Sequence, residues 1–309
     1  MSEVPDPTLG SGQVRVEVRA AGVNFVDALF VEGSYQIKPP LPFVPGSEVA
    51  GVVSEVGPEA VGAPPPGTRV LASVGLGGFA EAVVAQPGAL VVVPDTLSDG
   101  QAATLVQSYA TMRFALTRRT VVAPGEWVVV LGAAGGVGMA AIDVARRAGA
   151  RVVAVASSEE RLTRAIDQGA EVGINSSAEE DLKSAIRQAT GGGADLVVDP
   201  IGGAATEAAL RALGTFGRLV VIGFAAGDIP RLPANQVLLR NRTVVGVDWG
   251  AWAMANPAEN QELVEEILAD VADGALHPQE PAVYRLDDVG RALADLKGRR
   301  LVGKAVVAP

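Results

Sequence analysis

The stretch Trp127-Val-Val-Val-Leu-Gly132-Ala-Ala-Gly135-Gly136-Val137-Gly138 decides how this chain folds. Its first five residues form an apolar, valine-rich run of the kind that makes a buried strand. The glycines follow at once, and a helical pattern over Val137–Ala148 follows them. Glycine lets a chain turn tightly and lets its backbone approach a pyrophosphate, whose charge the helix amino terminus favours. The spacing departs from a bare G-x-G-x-x-G, so its weight comes from its place between strand and helix. Candidate cofactor contacts here are Ala134, Gly135, Gly136 and Val137. The competing reading is a glycine-rich turn needed only for close helix–strand packing.

Outward from this loop, strands and helices alternate. Strands are predicted at Trp127–Leu131, Val152–Ala156, Val172–Asn175, Leu196–Asp199 and Leu219–Ile222, with a further candidate at Thr243–Val247. Helices are predicted between them at Val137–Ala148, Glu159–Gln168, Glu179–Ala189 and Ala204–Leu213. Such alternation implies right-handed crossovers and a doubly wound parallel sheet of Rossmann type.

The end of the second strand selects the cofactor. NAD-binding folds place a carboxylate there to accept a hydrogen bond from the ribose 2′-hydroxyl. This chain has Val155-Ala156-Ser157-Ser158, with Arg161 one helical turn further on. Two hydroxyls and a guanidinium suit a 2′-phosphate, which points to NADPH. Ser157 and Glu160 also satisfy the pattern of a helix capping box, which does not exclude phosphate binding. Glu159 and Glu160 weaken the NADPH reading if they turn inward.

Before residue 100 the pattern is β-like. Gln13–Arg19 alternates, Ser47–Val56 is valine-rich, and Arg69–Ser73 and Ala80–Val93 add short apolar runs between glycine and proline turns. These features suggest a compact antiparallel or barrel-like unit. Gln101–Thr117 reads as helix. Beyond Gly250 come amphipathic helices at Asn260–Ala272 and Asp287–Leu296, then a closing strand at Gly303–Val307, which return to the first unit.

Composition removes several function classes. The 309 residues are 49% hydrophobic and only 4% aromatic, so the core is aliphatic. The formal charge of −10, from 25 basic and 35 acidic residues, argues against nucleic-acid binding. There is no cysteine and one histidine, so disulfides, thiolate nucleophiles, iron–sulfur clusters and Cys/His zinc sites are excluded. His277 stands among Gly274, Pro278 and Pro281 and reads as a surface-turn residue. Met1–Pro7 has no basic region followed by an apolar one, and the longest apolar run, Trp127–Ile142, is short for a bilayer. A cytoplasmic protein without membrane association is expected.

Four ordered motifs carry a resemblance across nearly the whole chain: Ala20-Ala-Gly-Val-Asn24-Phe25-Val26-Asp27, Pro42-Phe43-Val-Pro-Gly-Ser-Glu48-Val-Ala-Gly51, Ala133-Ala-Gly-Gly-Val-Gly138 and Leu301-Val-Gly-Lys304. With them the chain resembles the zeta-crystallin-like quinone oxidoreductases of the medium-chain dehydrogenase/reductase superfamily. The resemblance implies a GroES-like β-rich catalytic domain, residues 1–105 and 248–309, with a Rossmann dinucleotide-binding domain, residues 106–247, inserted in it. It places the nicotinamide near Asn24, Gln107 and Thr111, and it implies a homodimer formed through the last Rossmann strand around Thr243–Asp248. Zinc alcohol dehydrogenases carry Gly-His-Glu where this chain has Gly46-Ser47-Glu48, so no metal is expected. Leu29 stands where some quinone reductases have a tyrosine, so a phenolic proton donor is missing. The resemblance implies an amino terminus shortened by about two dozen residues, including early strands of the catalytic domain, with either a misplaced start or an open domain edge as the expected reason.

The expected chemistry is hydride transfer from NADPH to a small hydrophobic conjugated acceptor, with Asn24 and Gln107 as amide donors to the acceptor oxygen. Solvent or the ribose hydroxyl delivers the proton. Phe25, Phe43, Trp249 and Trp252 are candidate walls of the acceptor pocket, although core packing is the commoner role of such residues. Lys304 is expected to reach a cofactor phosphate, and Gly223-Phe224 to lie at the carboxyl edge of the sheet, where ligands bind. An enoyl or enone reductase uses the same parts, and a non-catalytic NADPH-binding protein is the third reading.

Overall fold

The computed structural model describes residues 4–309, so part of the Met1–Pro7 reading lies outside the described residues. The chain divides into two compact units. One comprises the described residues up to Gln107 with Ala253–Gly274 and Pro278–Pro309; the other comprises Ser108–Trp252 with Ala275–His277.

The first unit opens with β1 (Val14–Val23), whose alternating burial follows its Val-x-Val-x-Val pattern. Helix α1 (Phe25–Val31) follows directly. Its apolar sequence carries no helical signal, and its start is set by Asn24 and Asp27. Then come β2 (Glu48–Val56), β3 (Arg69–Ser73), β4 (Ala82–Ala85), β5 (Leu90–Val92) and the short α2 (Asp99–Ala102). The predicted 101–117 helix is not regular: two wide π turns, Val106–Ala110 and Ala115–Arg119, flank α3 (Thr111–Phe114).

The second unit then alternates as predicted. Its elements are β6 (Trp127–Leu131), α4 (Gly136–Arg147), β7 (Arg151–Ala156), α5 (Glu159–Asp167), β8 (Val172–Asn175), α6 (Leu182–Ala189), β9 (Ala194–Asp199), α7 (Gly203–Ala212), β10 (Leu213–Val221), α8 (Ala234–Leu238) and β11 (Thr243–Gly246). The six strands run in the order β11-β10-β9-β6-β7-β8, every pairing parallel. The jump from β8 back past β6 to β9 creates the topological switch next to β6, where doubly wound sheets bind ligands at strand carboxyl ends. Val128, Val129 and Val130 are fully buried, as expected for a central strand covered on both faces.

Helices α9 (Trp249–Ala255) and α10 (Pro257–Ala272) lead back towards the first unit, which α11 (Val289–Lys297) and strands β12 (Ala282–Arg285) and β13 (Ala305–Ala308) complete. The first unit's main path is β12-β13-β1-β2-β3-β5. Strand β1 pairs with β2 along one edge. Its other edge is shared by β4, against Val14–Glu17, and β13, against Ala21–Val23. Val14, Val16, Val53, Val70, Phe79 and Val307 pack in the core of this unit. Among the described residues, no helix is long and apolar enough to cross a membrane.

Candidate functional site

The predicted loop joins β6 to α4, and its glycines divide by role. Gly132 has φ +59°, and a Cβ on it would lie 2.5 Å from Ile201 Cδ1. A Cβ on Gly138 would collide with the Gly132 carbonyl oxygen and lie 2.8 Å from the Ala133 backbone. These two are required by packing, as the competing reading had it. Gly135 has room, its nearest neighbour for a Cβ being 3.4 Å away. It occupies the N-cap position of α4, and no side chain caps that helix. The first-turn N–H groups therefore lack a side-chain partner, which is the arrangement an anionic phosphate satisfies.

The same strand edge gathers the other candidates. Ser157 and Ser158 follow β7, and Ser158 rather than Ser157 caps α5, its Oγ accepting the Arg161 N–H at 3.4 Å. The Ser157–Glu160 capping box is thereby corrected: the helix begins at Glu159, so the cap falls on Ser158. Glu159 is exposed, and Asn175 at the end of β8 donates to its Oε1 over 2.7 Å. Gly223 and Phe224 follow β10, with Phe224 against Gly202.

Sequence reasoning missed Asp199 here. Its buried carboxylate, at the end of β9, accepts from the N–H groups of Ile201 and Gly202 at 2.9 and 3.0 Å and from Thr206 Oγ1 at 2.5 Å. It shapes the turn that holds Ile201 over Gly132. A carboxylate ending a strand just before a glycine pair was the available signal.

The first unit contains the second constellation. Extending the β1–β13 register (Gly22↔Val306, Val23↔Ala305) brings Lys304 beside Asn24, and the β1–β2 register (Ala21↔Val49) brings Glu48 beside Gly22. Glu48 is 1% exposed. Its Oε1 accepts from Asn24 Nδ2 at 2.8 Å and from Lys304 Nζ at 3.2 Å, while its Oε2 accepts the backbone N–H of Gln107 at 2.9 Å. Lys304 Nζ also donates to Asn24 Oδ1, and Gln107 Nε2 donates to Ser47 Oγ at 3.2 Å. Gly22 makes room for this carboxylate, since a Cβ there would lie 2.5 Å from Glu48 Oε1. Removing one partner of such a buried pair typically costs about 3–5 kcal/mol, because the other charge is stranded.

Asp27 lies beside this cluster, fully buried, and its Oδ2 accepts the Asn24 backbone N–H at 2.8 Å. Burial pushes its carboxyl up to about 7 against the pull of that N–H; Glu48 adds to the rise and Lys304 opposes it.

Two of the predicted site residues have partners within this cluster. The Asn24 amide nitrogen donates to Glu48 Oε1 at 2.8 Å and to the Gly22 carbonyl at 3.4 Å. The Lys304 ammonium is engaged with Glu48 and Asn24, because the β1–β13 register seats it among them. Gln107 belongs to the cluster, whereas Thr111 lies one turn further on, in α3 of the second unit. Trp252 stacks on Phe114 of the same unit with ring centroids 4.6 Å apart, and Trp249 is buried. Phe25 and Phe43 are half-buried in the first. The His277 side chain is 59% exposed, and its backbone N–H donates to buried Asp143 at 2.6 Å.

Residues 10–95 match the alcohol dehydrogenase GroES-like domain family, and residues 136–269 match the family described as zinc-binding dehydrogenase. The donors present do not fit zinc. There is no cysteine, Ser47 has no imidazole to offer, and Glu48 is already engaged by a lysine and two N–H donors. Among the described residues, no group of three or more His, Cys, Asp or Glu is placed to hold a metal.

The chain is 36% identical over 310 residues to quinone oxidoreductase-like protein 2 of Rattus norvegicus, covering 100% of this chain and 88% of the relative. A solved quinone oxidoreductase of Thermus thermophilus, studied also as its NADPH complex, superposes with a TM-score of 0.86 at 35% identity, covering 100% and 95% of the two chains. The CurK enoyl reductase superposes with a TM-score of 0.88 at 27% identity, covering 99% and 94%. With a parallel Rossmann sheet, a GroES-like unit and a relative this similar along its whole length, the chain belongs to the quinone oxidoreductase family of the medium-chain dehydrogenase/reductase superfamily.

Proposed function

We propose that the protein uses NADPH to reduce a quinone or a related conjugated carbonyl compound by metal-free hydride transfer. The observation that carries this reading is the strand edge of the second unit. There an uncapped helix amino terminus behind Gly135 stands beside a second strand that is followed by Ser157-Ser158, with Glu159 and Glu160 exposed. The NADPH complex of the Thermus relative supports it.

Bound NADPH would supply a hydride from its nicotinamide C4. The chain's part is to bind and orient it. Backbone N–H groups of the Ala134–Val137 loop are assigned to the pyrophosphate. Ser157, Ser158 and Arg161 are assigned to the 2′-phosphate, where hydroxyls and a guanidinium make charge-assisted bonds. Gly223 and Phe224 share that strand edge. In this scheme residues 106–247 act as the dinucleotide-binding domain, and residues 1–105 and 248–309 as the catalytic domain. The Gln107 carboxamide takes the role of donor to an acceptor oxygen, since both Asn24 amide hydrogens are engaged inside its cluster. Thr111 is assigned to the nicotinamide and Phe25 and Phe43 to the acceptor. Quinones are electron-poor enough to need little further activation.

The deciding experiment is steady-state NADPH oxidation against quinones, enones and enoyl thioesters. Turnover of quinones is expected. Turnover confined to enoyl thioesters would move the assignment to the chemistry named for CurK, and tight NADPH binding without turnover of any acceptor would make the protein a non-catalytic binder.

A further inference from the structure

A helix that widens from α to π geometry leaves a backbone N–H out of the regular i→i−4 series, and such turns occur often at functional sites. Here the wide turn Val106–Ala110 begins one residue before Gln107, and the Gln107 N–H finds its acceptor outside the helix, in Glu48 Oε2 at 2.9 Å. Glu48 sits 59 residues earlier in the chain and is 1% exposed. A carboxylate so buried needs a counter-charge, and Lys304 Nζ supplies it at 3.2 Å, with its own side chain only 14% exposed. Asn24 braces both groups, donating to Glu48 and accepting from Lys304. Ser47, the neighbour of Glu48, accepts from the side chain of that same Gln107 at 3.2 Å.

We infer that Glu48, with its charge balanced by Lys304, is a positioning residue that holds the wide helical turn and thereby orients the Gln107 carboxamide. Lys304 acts here as an internal counter-ion and not as a cofactor ligand. The kinetic consequence rests on the reductase reading above; the structural consequence does not.

Three variants separate the alternatives: Glu48→Gln, Lys304→Met and the double variant Glu48→Gln/Lys304→Met. The first readout is amide hydrogen exchange of residues 104–111 in cofactor-free protein, with β2 and β3 as internal controls. Lys304→Met leaves Glu48 charged and uncompensated, and exchange over 104–111 is expected to rise by roughly tenfold, the loss of about one hydrogen bond to a charged group. The double variant supplies a neutral acceptor that needs no counter-charge and returns exchange to within about threefold of wild type. The second readout uses whichever acceptor the wild type reduces. In Lys304→Met, kcat falls by roughly tenfold while the NADPH dissociation constant stays within about twofold, and the double variant recovers most of the kcat.

A double variant no better than Lys304→Met in exchange overturns the proposal, as does an NADPH dissociation constant raised equally in both variants carrying Lys304→Met. Should Lys304→Met fail to fold, Glu48→Gln keeps the question decidable: unchanged exchange at 104–111 would refute the role, and a rise confined to that segment would support it. Absence of quinone turnover in the wild type overturns the functional reading alone, because the exchange comparison needs no turnover.

Discussion

A Cβ placed on Gly138 would run into the carbonyl oxygen of Gly132, six residues back across the turn that starts the dinucleotide unit. The neighbouring contacts are backbone too, with Ala133 C and Cα both at 2.8 Å, so no side chain can swing aside. The helix therefore stands as close to its strand as glycine allows, and this closeness fixes where the first-turn N–H groups point.

Gly138→Ala is accordingly expected to push α4 off β6. Overpacking of this kind costs about 1–3 kcal/mol. Both the urea midpoint and NADPH affinity should fall. Gly135→Ala, where the nearest neighbour is 3.4 Å from the added methyl, should cost far less stability. Equal destabilisation by the two substitutions would show that the turn is not organised as described.

Much of this is legible in the sequence, for identifiable reasons. The β6–α4 turn announces itself because a valine run, a glycine cluster and a helical period follow one another locally. The chain from Asn24 to Lys304 does not, because those residues lie 280 positions apart and meet only through the pairing of β1 with β13. Helix α1 is hidden because Phe25–Val31 has no polar face. It becomes a helix because Asp27 turns back to take the Asn24 N–H. The π turns within 106–119 look like ordinary helix, since their composition is helical and the acceptor that widens the first of them is Glu48 in a distant strand. The cap of α5 differs from expectation by one serine, because the helix begins at Glu159 and its N-cap is therefore Ser158.

Asp27 gives stability a definite dependence on pH. Its carboxyl is pushed up to about 7 in the folded protein from an ordinary 3.8, chiefly by burial. The fold therefore holds this proton over a range in which the unfolded chain has lost it. The stabilisation is fully present below about 4 and is lost as pH rises through 7, by as much as about 4 kcal/mol. Glu48 and Lys304 are the charged groups facing it. Asp27→Asn removes the titration, so unfolding free energies of variant and wild type, measured in urea from pH 5 to 8, should diverge in the variant's favour as pH rises. Parallel curves would mean that Asp27 is ionised throughout.

Arg161 tests the choice of cofactor. It stands in the first turn of α5, with its backbone N–H on Ser158 Oγ. Arg161→Ala removes one charge-assisted contact to a 2′-phosphate, worth about 1.5–3 kcal/mol. NADPH affinity should drop by roughly ten- to a hundredfold while NADH affinity holds. Fluorescence titrations of both dinucleotides give the ratio, and an unchanged ratio would remove the guanidinium from the phosphate site.

Strand β11 ends the parallel sheet, pairing with β10 on one side and with no other strand of the sheet among the described residues. Val244 on it is 37% exposed, and Leu238 and Leu239 just before it are exposed as well. An apolar edge strand invites pairing with an identical edge across a two-fold axis, because each strand then satisfies the other's N–H and C=O groups. We propose that the protein dimerises there. Val244→Lys places like charges close together across that axis and should yield a monomer by light scattering, with the fold intact by circular dichroism. A variant that keeps the wild-type mass, or a wild type already monomeric at micromolar concentration, would assign this edge no role in assembly.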